Sequence, residues 1–531
     1  MTNGRRRLTA AVLAVFVFCL MFGVEVQAGG EQKARVRAEK ALHDGDFEHA
    51  EKIFRELLSK DAHDRSARLG LSFALLKQRR LQEAFDQAAR VLVEEPLSAR
   101  AHALLGSAVL ASGNFKNSVE EFRTALSLRD NEALAIAGLA MIDFYENRVE
   151  SAIKGLQRAV SIDSDEPDYL FSLGQATARN ERYKEAADAY ERFLFFAPKT
   201  DSERKARIRG LIDFLRYLGN QGNLYRPGGE DKTSISFDAF DGRPMLKVKV
   251  NGGKQPLRFV LDTGSGMSVV SEETAKKLGM RPVARGGLAR AVGGGGKFEI
   301  VYGFLESLEL GDVKVDNVPV YIRHFYDNRT QVDGFIGLSV ISKFVAAVDY
   351  GERVFSLRRS GSADAATQQR AKAASLASTI ASDIIEIPVR TTSSGFLSGE
   401  VSLEGINKPL NFIIDTGASV SVVSEKLVEE EELSTYIAPT RMRVYGAAGV
   451  ADDVKTLLLP KVMLGSFTRE QITAAVLDME PVNETAGFTQ NGILGGNFLS
   501  HFRVTFDFQR GFIRLEPLNK TARKEVISPP M

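Results

Sequence analysis

Two Asp-Thr-Gly motifs, at Asp262 and Asp415, are the residues of this sequence whose type and setting suit catalysis. Each motif directly follows an apolar run, Leu257–Leu261 in the first case and Leu410–Ile414 in the second. Two carboxylates held about 3 Å apart cannot both ionise, so such a pair shares one proton. One carboxylate can then act as a general base on a bound water while the other acts as a general acid. The motifs therefore predict a catalytic pair if the fold brings Asp262 and Asp415 together.

The surroundings of the two motifs match in order along the chain. Both are followed by the same four residues, Ser-Val-Val-Ser, at Ser268–Ser271 and Ser421–Ser424. Farther on, each segment has an apolar-apolar-Gly motif that ends at Gly337 or Gly495. Both segments then close with two apolar, β-branched runs around a turn. A single Asp-Thr-Gly would indicate little, but three landmarks repeated in one order indicate a duplication.

Each segment resembles one lobe of a retropepsin-like aspartic protease. Two such lobes in one chain are similar to the bilobal, pepsin-like arrangement, although each lobe here is nearer the viral size. The resemblance covers residues 234–359 and 385–516, roughly half of the chain. It implies two all-β lobes and an aspartic endopeptidase that hydrolyses protein or peptide substrates with no cofactor and no metal. The lobes differ in sequence and are joined by a short linker, which favours pairing within one chain over pairing between molecules.

The resemblance also implies roles for the residues around the two aspartates. Thr263 and Thr416 are expected to hydrogen-bond across the pseudo-twofold axis, and the Ser265 hydroxyl could reach Asp262. Glycine permits the tight turn that brings each carboxylate to the lobe interface. The residues expected to support the active-site loops are Thr263, Gly264, Ser265, Thr416, Gly417, Ala418, Gly337 and Gly495.

Glycine-rich stretches at 292–296 and 444–449 are candidates for flaps that close over a substrate and exclude water. The residues expected to contribute are Gly294 in the first lobe, and Tyr445 and Gly446 in the second. Two roles stay open for Tyr445: a hydrogen-bond donor in the flap, or a packed strand residue.

The N-terminal part of the chain repeats with a period of 34 residues. Small residues recur at one register of this repeat, at Ala50, Ala84, Ser118, Ala152 and Ala186. The pattern resembles the tetratricopeptide repeat, with about five units and a closing helix near Ser202–Leu218. Each helix pair cannot bury its apolar face alone, so neighbouring pairs stack. A concave face that binds a protein partner is the favoured role, and a spacer for the domains behind it is the alternative.

The first residues have the layout of an export signal. Arg5, Arg6 and Arg7 precede an apolar run, and the small residues Val26 and Ala28 predict cleavage after Ala28. The mature protein would then be periplasmic or secreted, while an uncleaved segment would anchor it to a membrane. Cys19 lies inside the apolar run, so the mature chain would contain no thiol.

The sequence thus predicts a multidomain α and β protein: an N-terminal α-solenoid followed by a bilobal aspartic protease. The predicted segments are a signal peptide (1–28), helical repeats (31–220), lobe 1 (221–360), a linker (361–384), lobe 2 (385–520) and a C-terminal tail (521–531). Lys and Arg number 69 against 68 Asp and Glu, so no bulk charge recruits nucleic acid. The six histidines form no zinc-ligand pattern. Lobes that bind peptide without cutting it are the alternative to an active enzyme.

Overall fold

The computed structural model of the chain describes residues 30–198, 202–327, 329, 331–359 and 385–518. This part of the chain divides into two compact units. One runs through Gly138 and includes Phe196–Ser202, and the other comprises Leu139–Phe195 and the residues from Glu203 onward. The predicted signal peptide, linker and C-terminal tail lie outside the described residues.

Eleven consecutive helices open the described part of the chain, as five pairs and a closing helix. They are α1 (30–44), α2 (Phe47–Lys60), α3 (Arg65–Lys77), α4 (Leu81–Glu94), α5 (Ala99–Ala111), α6 (Phe115–Leu128), α7 (Ala133–Tyr145), α8 (Val149–Ile162), α9 (Pro167–Arg179), α10 (Tyr183–Phe196) and α11 (Ser202–Leu218). The predicted helical repeats are confirmed, and the closing helix has the bounds expected of it.

The 34-residue register marks the second helix of each pair. The small residues that define it, from Ala50 to Ala186, are fully buried. Four residues after each small residue comes a mostly bulky one, such as Phe54 or Phe122, and this side chain packs against a glycine on the first helix of the next pair. A Cβ on Gly70 would lie 2.4 Å from the ring of Phe54, and a Cβ on Gly138 would lie 2.2 Å from the ring of Phe122. Packed interiors leave no room for such an atom. The 34-residue repeat therefore reflects close contacts that recur between neighbouring helices.

Strands follow the closing helix. In lobe 1 they are β1 (Arg226–Gly229), β2 (Lys232–Ser236), β3 (Asp238–Phe240), β4 (Arg243–Val250), β5 (Leu257–Leu261), β6 (Ser268–Ser271), β7 (Ala284–Arg290), β8 (Lys297–Leu310), β9 (Val313–Arg323), β10 (Gly334–Ile336), β11 (Phe344–Asp349) and β12 (Val354–Arg359). In lobe 2 they are β13 (Ile385–Thr391), β14 (Leu397–Leu403), β15 (Leu410–Ile414), β16 (Ser421–Ser424), β17 (Ile437–Gly446), β18 (Gly449–Leu464), β19 (Phe467–Leu477), β20 (Gly492–Leu494), β21 (Phe502–Asp507) and β22 (Phe512–Pro517). Short helices lie at Glu272–Lys277, Leu338–Ile341, Glu425–Glu430, Leu433–Tyr436, Glu480–Ala486 and Gly496–Leu499.

The two lobes have the same strand arrangement. Lobe 1 has the order β1-β9-β6-β10-β5-β4-β8-β7, with an additional β9–β8 pairing. Lobe 2 has the order β17-β18-β19-β16-β20-β15-β14, with an additional β18–β14 pairing. In each lobe the strand that ends at the Asp-Thr-Gly motif runs parallel to the strand of the glycine motif: β5 beside β10, and β15 beside β20.

A shared sheet joins the lobes. Its strand order is β2-β12-β11-β21-β22-β13, so each lobe contributes its closing hairpin and an outer strand. β11 and β21 pair antiparallel at the centre, where Ala346 lies opposite Phe506, and this relates the lobes by an approximate twofold axis. Apolar side chains of both lobes, among them Phe344, Phe355 and Phe502, form one continuous core. The predicted pair of β-rich lobes is confirmed. Across the described ranges, no helix is both long and apolar enough to cross a membrane.

Candidate active site

The two aspartates lie where a buried strand ends in each lobe. Both strands are almost wholly apolar, and most of their side chains are buried. Neighbouring glycine-motif strands hold the turns, because the Asp262 amide donates to the Ile336 carbonyl (3.0 Å) and the Asp415 amide donates to the Leu494 carbonyl (3.0 Å). The fold therefore brings the two predicted carboxylates of one chain together at the lobe interface.

Gly264 and Gly417 let the two active-site turns approach each other. A Cβ on Gly264 would lie 2.3 Å from Cγ of Asp415, and a Cβ on Gly417 would lie 2.6 Å from Oδ1 of Asp262. No other residue type fits at such a distance. The amides of the same glycines donate to the carboxylate of their own turn, Gly264 to Asp262 (2.9 Å) and Gly417 to Asp415 (2.7 Å).

The threonines of the motifs cross-link the turns. The Thr263 amide donates to Oγ1 of Thr416 (3.1 Å), and the Thr416 amide donates to Oγ1 of Thr263 (3.0 Å). Each hydroxyl then donates across the axis, Thr263 to the Ile414 carbonyl (2.7 Å) and Thr416 to the Leu261 carbonyl (2.8 Å). Both threonines are fully buried. The expected hydrogen bonds across the pseudo-twofold axis are present, and they fix the separation of the carboxylates.

The two carboxylates lie close enough for the charge of one to affect the pKa of the other. Burial raises the pKa of Asp262 well above its usual range, and the negative charge of Asp415 and a hydrogen bond with it raise that pKa further. Burial also raises the pKa of Asp415, against the lowering effect of the Gly417 amide. Both side chains keep partial solvent access at the cleft floor, with packed protein on the other sides. Such a pair retains one shared proton where isolated aspartates would both be ionised.

The glycine motifs pack behind the turns, as the sequence predicted. A Cβ on Gly337 would lie 2.7 Å from backbone atoms of Ser265 and Met267, and a Cβ on Gly495 would lie 2.8 Å from the backbone of Val420. The amide of Gly337 donates to Oγ of Ser268 (3.1 Å) in lobe 1. Ser421 accepts the Gly495 amide at the same distance in lobe 2.

Ser268 and Ser421 are supporting residues that the sequence analysis quoted without assigning a role. Their signal was present, because both open the duplicated Ser-Val-Val-Ser segment.

Ser265 and Ala418 hold the turns by different bonds. The Ala418 amide donates to Oδ1 of Asp415 (3.1 Å), whereas the Ser265 hydroxyl donates to the Met267 carbonyl (2.7 Å) and not to Asp262.

Two hairpins lie over the cleft and meet at their tips. We call β7–β8, with its tip at 291–296, the first flap, and β17–β18, with its tip at 447–448, the second flap. A Cβ on Gly294 would lie 2.5 Å from Cα of Gly449, and one on Gly446 2.3 Å from the Val292 carbonyl oxygen. The positive φ of Gly294 (+89°) is a conformation that favours glycine. The guanidinium of Arg329 lies over the ring of Tyr445, 5.0 Å from its centroid.

A cleft of about 1830 Å³ extends from the dyad to the flaps. Side chains of the last helices, including Phe144, Phe171 and Leu211, line it together with residues of both lobes. Its volume exceeds that of a usual small-molecule pocket, roughly 300–1,000 Å³, and suits an extended chain. Within the ranges that the structure describes, no cluster of His, Cys, Asp or Glu has the composition of a metal site.

The fold and site define a class: a bilobal aspartic protease arrangement preceded by helical repeats. The aspartyl protease family model matches residues 246–340 and 399–498, one copy in each lobe. Tetratricopeptide repeat models match residues 41–108 and 138–201. The chain therefore carries tetratricopeptide repeats followed by two copies of an aspartyl protease domain. No curated protein matches it.

Solved structures are similar to separate parts of the chain. A tetratricopeptide repeat protein of Thermus thermophilus is 18% identical, covering 34% of this chain and 98% of its own, with a TM-score of 0.30. MamA from Desulfovibrio magneticus is 21% identical over 32% of this chain and 97% of its own, with a TM-score of 0.23. The aspartic proteinase from Irpex lacteus is 13% identical over 56% of this chain and 100% of its own, with a TM-score of 0.35.

Proposed function

We propose that this protein is an exported aspartic endopeptidase that hydrolyses peptide bonds with the dyad Asp262 and Asp415. The observation that carries the proposal is the reciprocal hydrogen bonding of the buried Thr263 and Thr416, which holds two partly buried carboxylates together. A scaffold that only binds peptide has no need for two facing carboxylates whose pKa values are raised.

The reaction follows from the shared proton. The ionised carboxylate takes a proton from a water held between Asp262 and Asp415, and the water oxygen attacks the scissile carbonyl carbon. The protonated carboxyl donates to the carbonyl oxygen as the tetrahedral intermediate forms. When the C–N bond breaks, one carboxyl gives a proton to the leaving amine and the other carboxylate takes a proton from a hydroxyl of the intermediate, so the dyad again holds one proton. The flaps exclude other water during these steps.

The test uses the full mature chain with a diverse peptide pool at mildly acidic pH. Asp262→Asn and Asp415→Asn should each abolish cleavage, since either change removes the shared proton from the carboxylate pair. Cleavage that survives either substitution would refute the dyad. Binding without cleavage by the unsubstituted chain would favour the peptide-binding scaffold instead.

Export and recruitment complete the proposal. Arg5, Arg6, Arg7 and the apolar run after them support export, with Gly29 as the first residue of the mature protein. Sequencing of the mature N-terminus tests this, and an intact Met1 on a membrane-bound chain would indicate an anchor.

The repeats support recruitment of a protein substrate or partner. Pull-down with the full-length double aspartate variant tests recruitment, because that variant would hold a substrate without cutting it.

A further inference from the structure

The two walls of the cleft differ at positions that the approximate twofold axis makes equivalent. In lobe 1, Met245 on β4 pairs with Val260, two residues before Asp262. In lobe 2, Ser398 on β14 pairs with Ile413, two residues before Asp415.

Counting back two residues from Met245 and Ser398 makes Arg243 the counterpart of Phe396. Arg323 pairs with Ser271 in lobe 1, and Leu477 pairs with Ser424, the equivalent serine of lobe 2. Arg323 is therefore the counterpart of Leu477. Lobe 1 thus presents two guanidinium groups where lobe 2 presents an aromatic and an aliphatic side chain, and all four line the cleft.

Arg243 has a donor that the described residues leave unpaired. Its Nη2 is buried and has no hydrogen-bond partner among them, and 11% of its side chain is exposed. Asp327 forms an ion pair with this nitrogen, but its carboxylate oxygen, 3.6 Å away, is beyond hydrogen-bond distance. The ring and carbonyl of Phe240 hold the guanidinium in place, at 4.8 Å from the ring centroid and 3.4 Å from Nε to the oxygen.

The carboxylates near Arg243 are already engaged. Arg329 donates to both oxygens of Asp327, from Nε (3.0 Å) and Nη2 (2.9 Å), and forms an ion pair with Asp241 (3.0 Å). Leaving a buried donor unpaired is costly, and a ligand that satisfies it recovers that cost. The planar fork of a guanidinium matches a carboxylate in particular.

The rest of the cleft is also cationic. Among the described residues that line it, ten are Lys or Arg, against four Asp or Glu besides the dyad. Arg323 stacks on Phe298 of the first flap, 3.7 Å from the ring centroid, and donates to the Ala447 carbonyl at the tip of the second flap. No ion-pair partner for Arg323 lies in the described part of the chain. A cleft lined by one sign of charge concentrates ligands of the opposite sign.

We propose that the cleft takes peptides with an acidic side chain on the lobe 1 side of the scissile bond and an apolar one on the lobe 2 side. Arg243 binds the acid, and Phe396 with Leu477 accepts the apolar side chain. This inference rests on the proposed function, since it assigns a substrate class to the same cleft. It also makes the site directional, because only one orientation of a peptide satisfies both walls.

The experiment begins with a synthetic random peptide pool. The full chain with both Asp262→Asn and Asp415→Asn is immobilised, and the retained peptides are sequenced by mass spectrometry. The active chain is then given matched peptides that differ only in Glu or Gln at the enriched acidic position. We expect kcat/KM to be about 10- to 100-fold higher for the Glu peptide, as a hydrogen-bonded charge is worth about 1.5–3 kcal/mol.

The decisive readout is the ratio of the Glu to the Gln peptide in Arg243 variants. Arg243→Met should bring the ratio close to one, and Arg243→Lys should restore part of it. Arg443→Met is the matched control: it removes a cleft-lining charge whose partner is Asp452, so the ratio should change less than about twofold. Arg243 also lowers the pKa of Asp262, but that effect acts on both peptides and cancels in the ratio.

Equal rates for the two peptides in the unsubstituted chain, or an unchanged ratio in Arg243→Met, would overturn the inference. Retention of acidic peptides that depends on Arg243, without any cleavage, would uphold it while refuting the proposed enzyme. Cleavage without a preference for acidic peptides would support the proposed enzyme and refute the inference about Arg243. A cleft that neither retains nor cleaves any peptide would count against both.

Discussion

Gly210 on the closing helix lies directly against the backbone of Arg285 in the first flap. A Cβ at Gly210 would be 2.0 Å from the Arg285 carbonyl oxygen. Next to this contact, Nη1 of Arg207 donates to the Leu288 carbonyl (3.2 Å). The first flap is therefore bound along one strand by α11, and its position depends on the helix that ends the repeats.

Aromatic contacts extend the same attachment. Phe214 on α11 stacks on Tyr302 of β8, with ring centroids 4.3 Å apart, and both are buried. β17 of the second flap, in contrast, is half-buried or exposed along its whole length. Opening of the cleft should therefore depend mainly on the second flap.

We predict that Gly210→Val separates the first flap from the closing helix. The added side chain meets backbone and not a flexible side chain, so overpacking should cost about 1–3 kcal/mol of unfolding free energy. Amide hydrogen exchange should accelerate across 284–302, and peptide cleavage should slow. Gly222→Val is the matched control, since a Cβ there meets nothing within 4 Å. Unchanged exchange in Gly210→Val would show that the helix does not hold the flap.

The threonine cross-link gives a second prediction. In Thr416→Val, the Thr263 amide loses its acceptor and the Leu261 carbonyl loses its donor, both in a buried place. Each unpaired buried group costs about 1–3 kcal/mol, so the loss of two partners should lower the unfolding free energy by roughly 2–6 kcal/mol. Denaturant unfolding measures this. Thr416→Ser keeps the hydroxyl and should recover most of the loss, and an equal loss in both variants would mean that methyl packing matters more.

The dyad and its supports could be predicted because their signals are local and duplicated. Asp262 and Asp415 share their motif, the strand before it and the glycine motif after it. The threonine contacts followed from the resemblance alone. The closing helix was expected near Ser202–Leu218, directly after the last full repeat unit.

Contacts between distant parts of the chain left no such signal. Nothing in the residues around Arg243 distinguishes an arginine with a buried, unpaired Nη2 from one on a solvated strand. The packing of Gly210 on Arg285 joins a repeat helix to a flap strand. The 34-residue repeat gives no information about the flap, and the glycine-rich flap sequence gives none about the helix. Such pairings are set by tertiary packing, which periodicity and motif spacing do not encode.

Arg179 ties the repeats to the second lobe, and this gives a third prediction. It is half-buried, its Nη2 donates to the Thr392 carbonyl (2.5 Å), and its Nη1 donates to the Phe144 carbonyl (3.1 Å). Burial lowers the pKa of Arg179 to about 9. The loop after Thr392 reaches the first active-site turn, where a Cβ on Gly266 would lie 2.7 Å from the Ser394 carbonyl oxygen.

Arg179→Met should lower the unfolding free energy by about 2–4 kcal/mol, because two hydrogen bonds from a charged group are lost. It should also lower kcat, since the loop against the active-site turn loses its anchor. Arg182→Met provides the comparison, as its ion pair with Glu150 is largely exposed and should contribute less than about 1 kcal/mol. Similar stability losses in the two variants would indicate that Arg179 has no special anchoring role.

The dyad predicts an unusual dependence of stability on pH. Burial, with the charge of Asp415 as a further cause, raises the pKa of Asp262 in the folded state. Stability therefore falls as the pH rises from the unfolded value, about 3.9, through the raised folded value. Asp262→Asn removes this penalty, so its Tm should exceed that of the unsubstituted protein at pH 7 and match it at about pH 3. Since a tenfold change in proton affinity is worth about 1.4 kcal/mol, even a modest elevation gives a measurable difference.

Asp327→Asn should behave in the opposite way. Burial of Asp327 raises its pKa, but hydrogen bonds from Arg329 outweigh burial and hold that pKa below the usual range. The stability it contributes is present above the unfolded pKa and is lost as the pH falls through the lowered folded value. Asp327→Asn should thus lower Tm at neutral pH and have little effect in acid. If Asp262→Asn were also destabilising at neutral pH, the two carboxylates of the dyad would not be sharing a proton in a desolvated site, and the catalytic assignment would lose its physical basis.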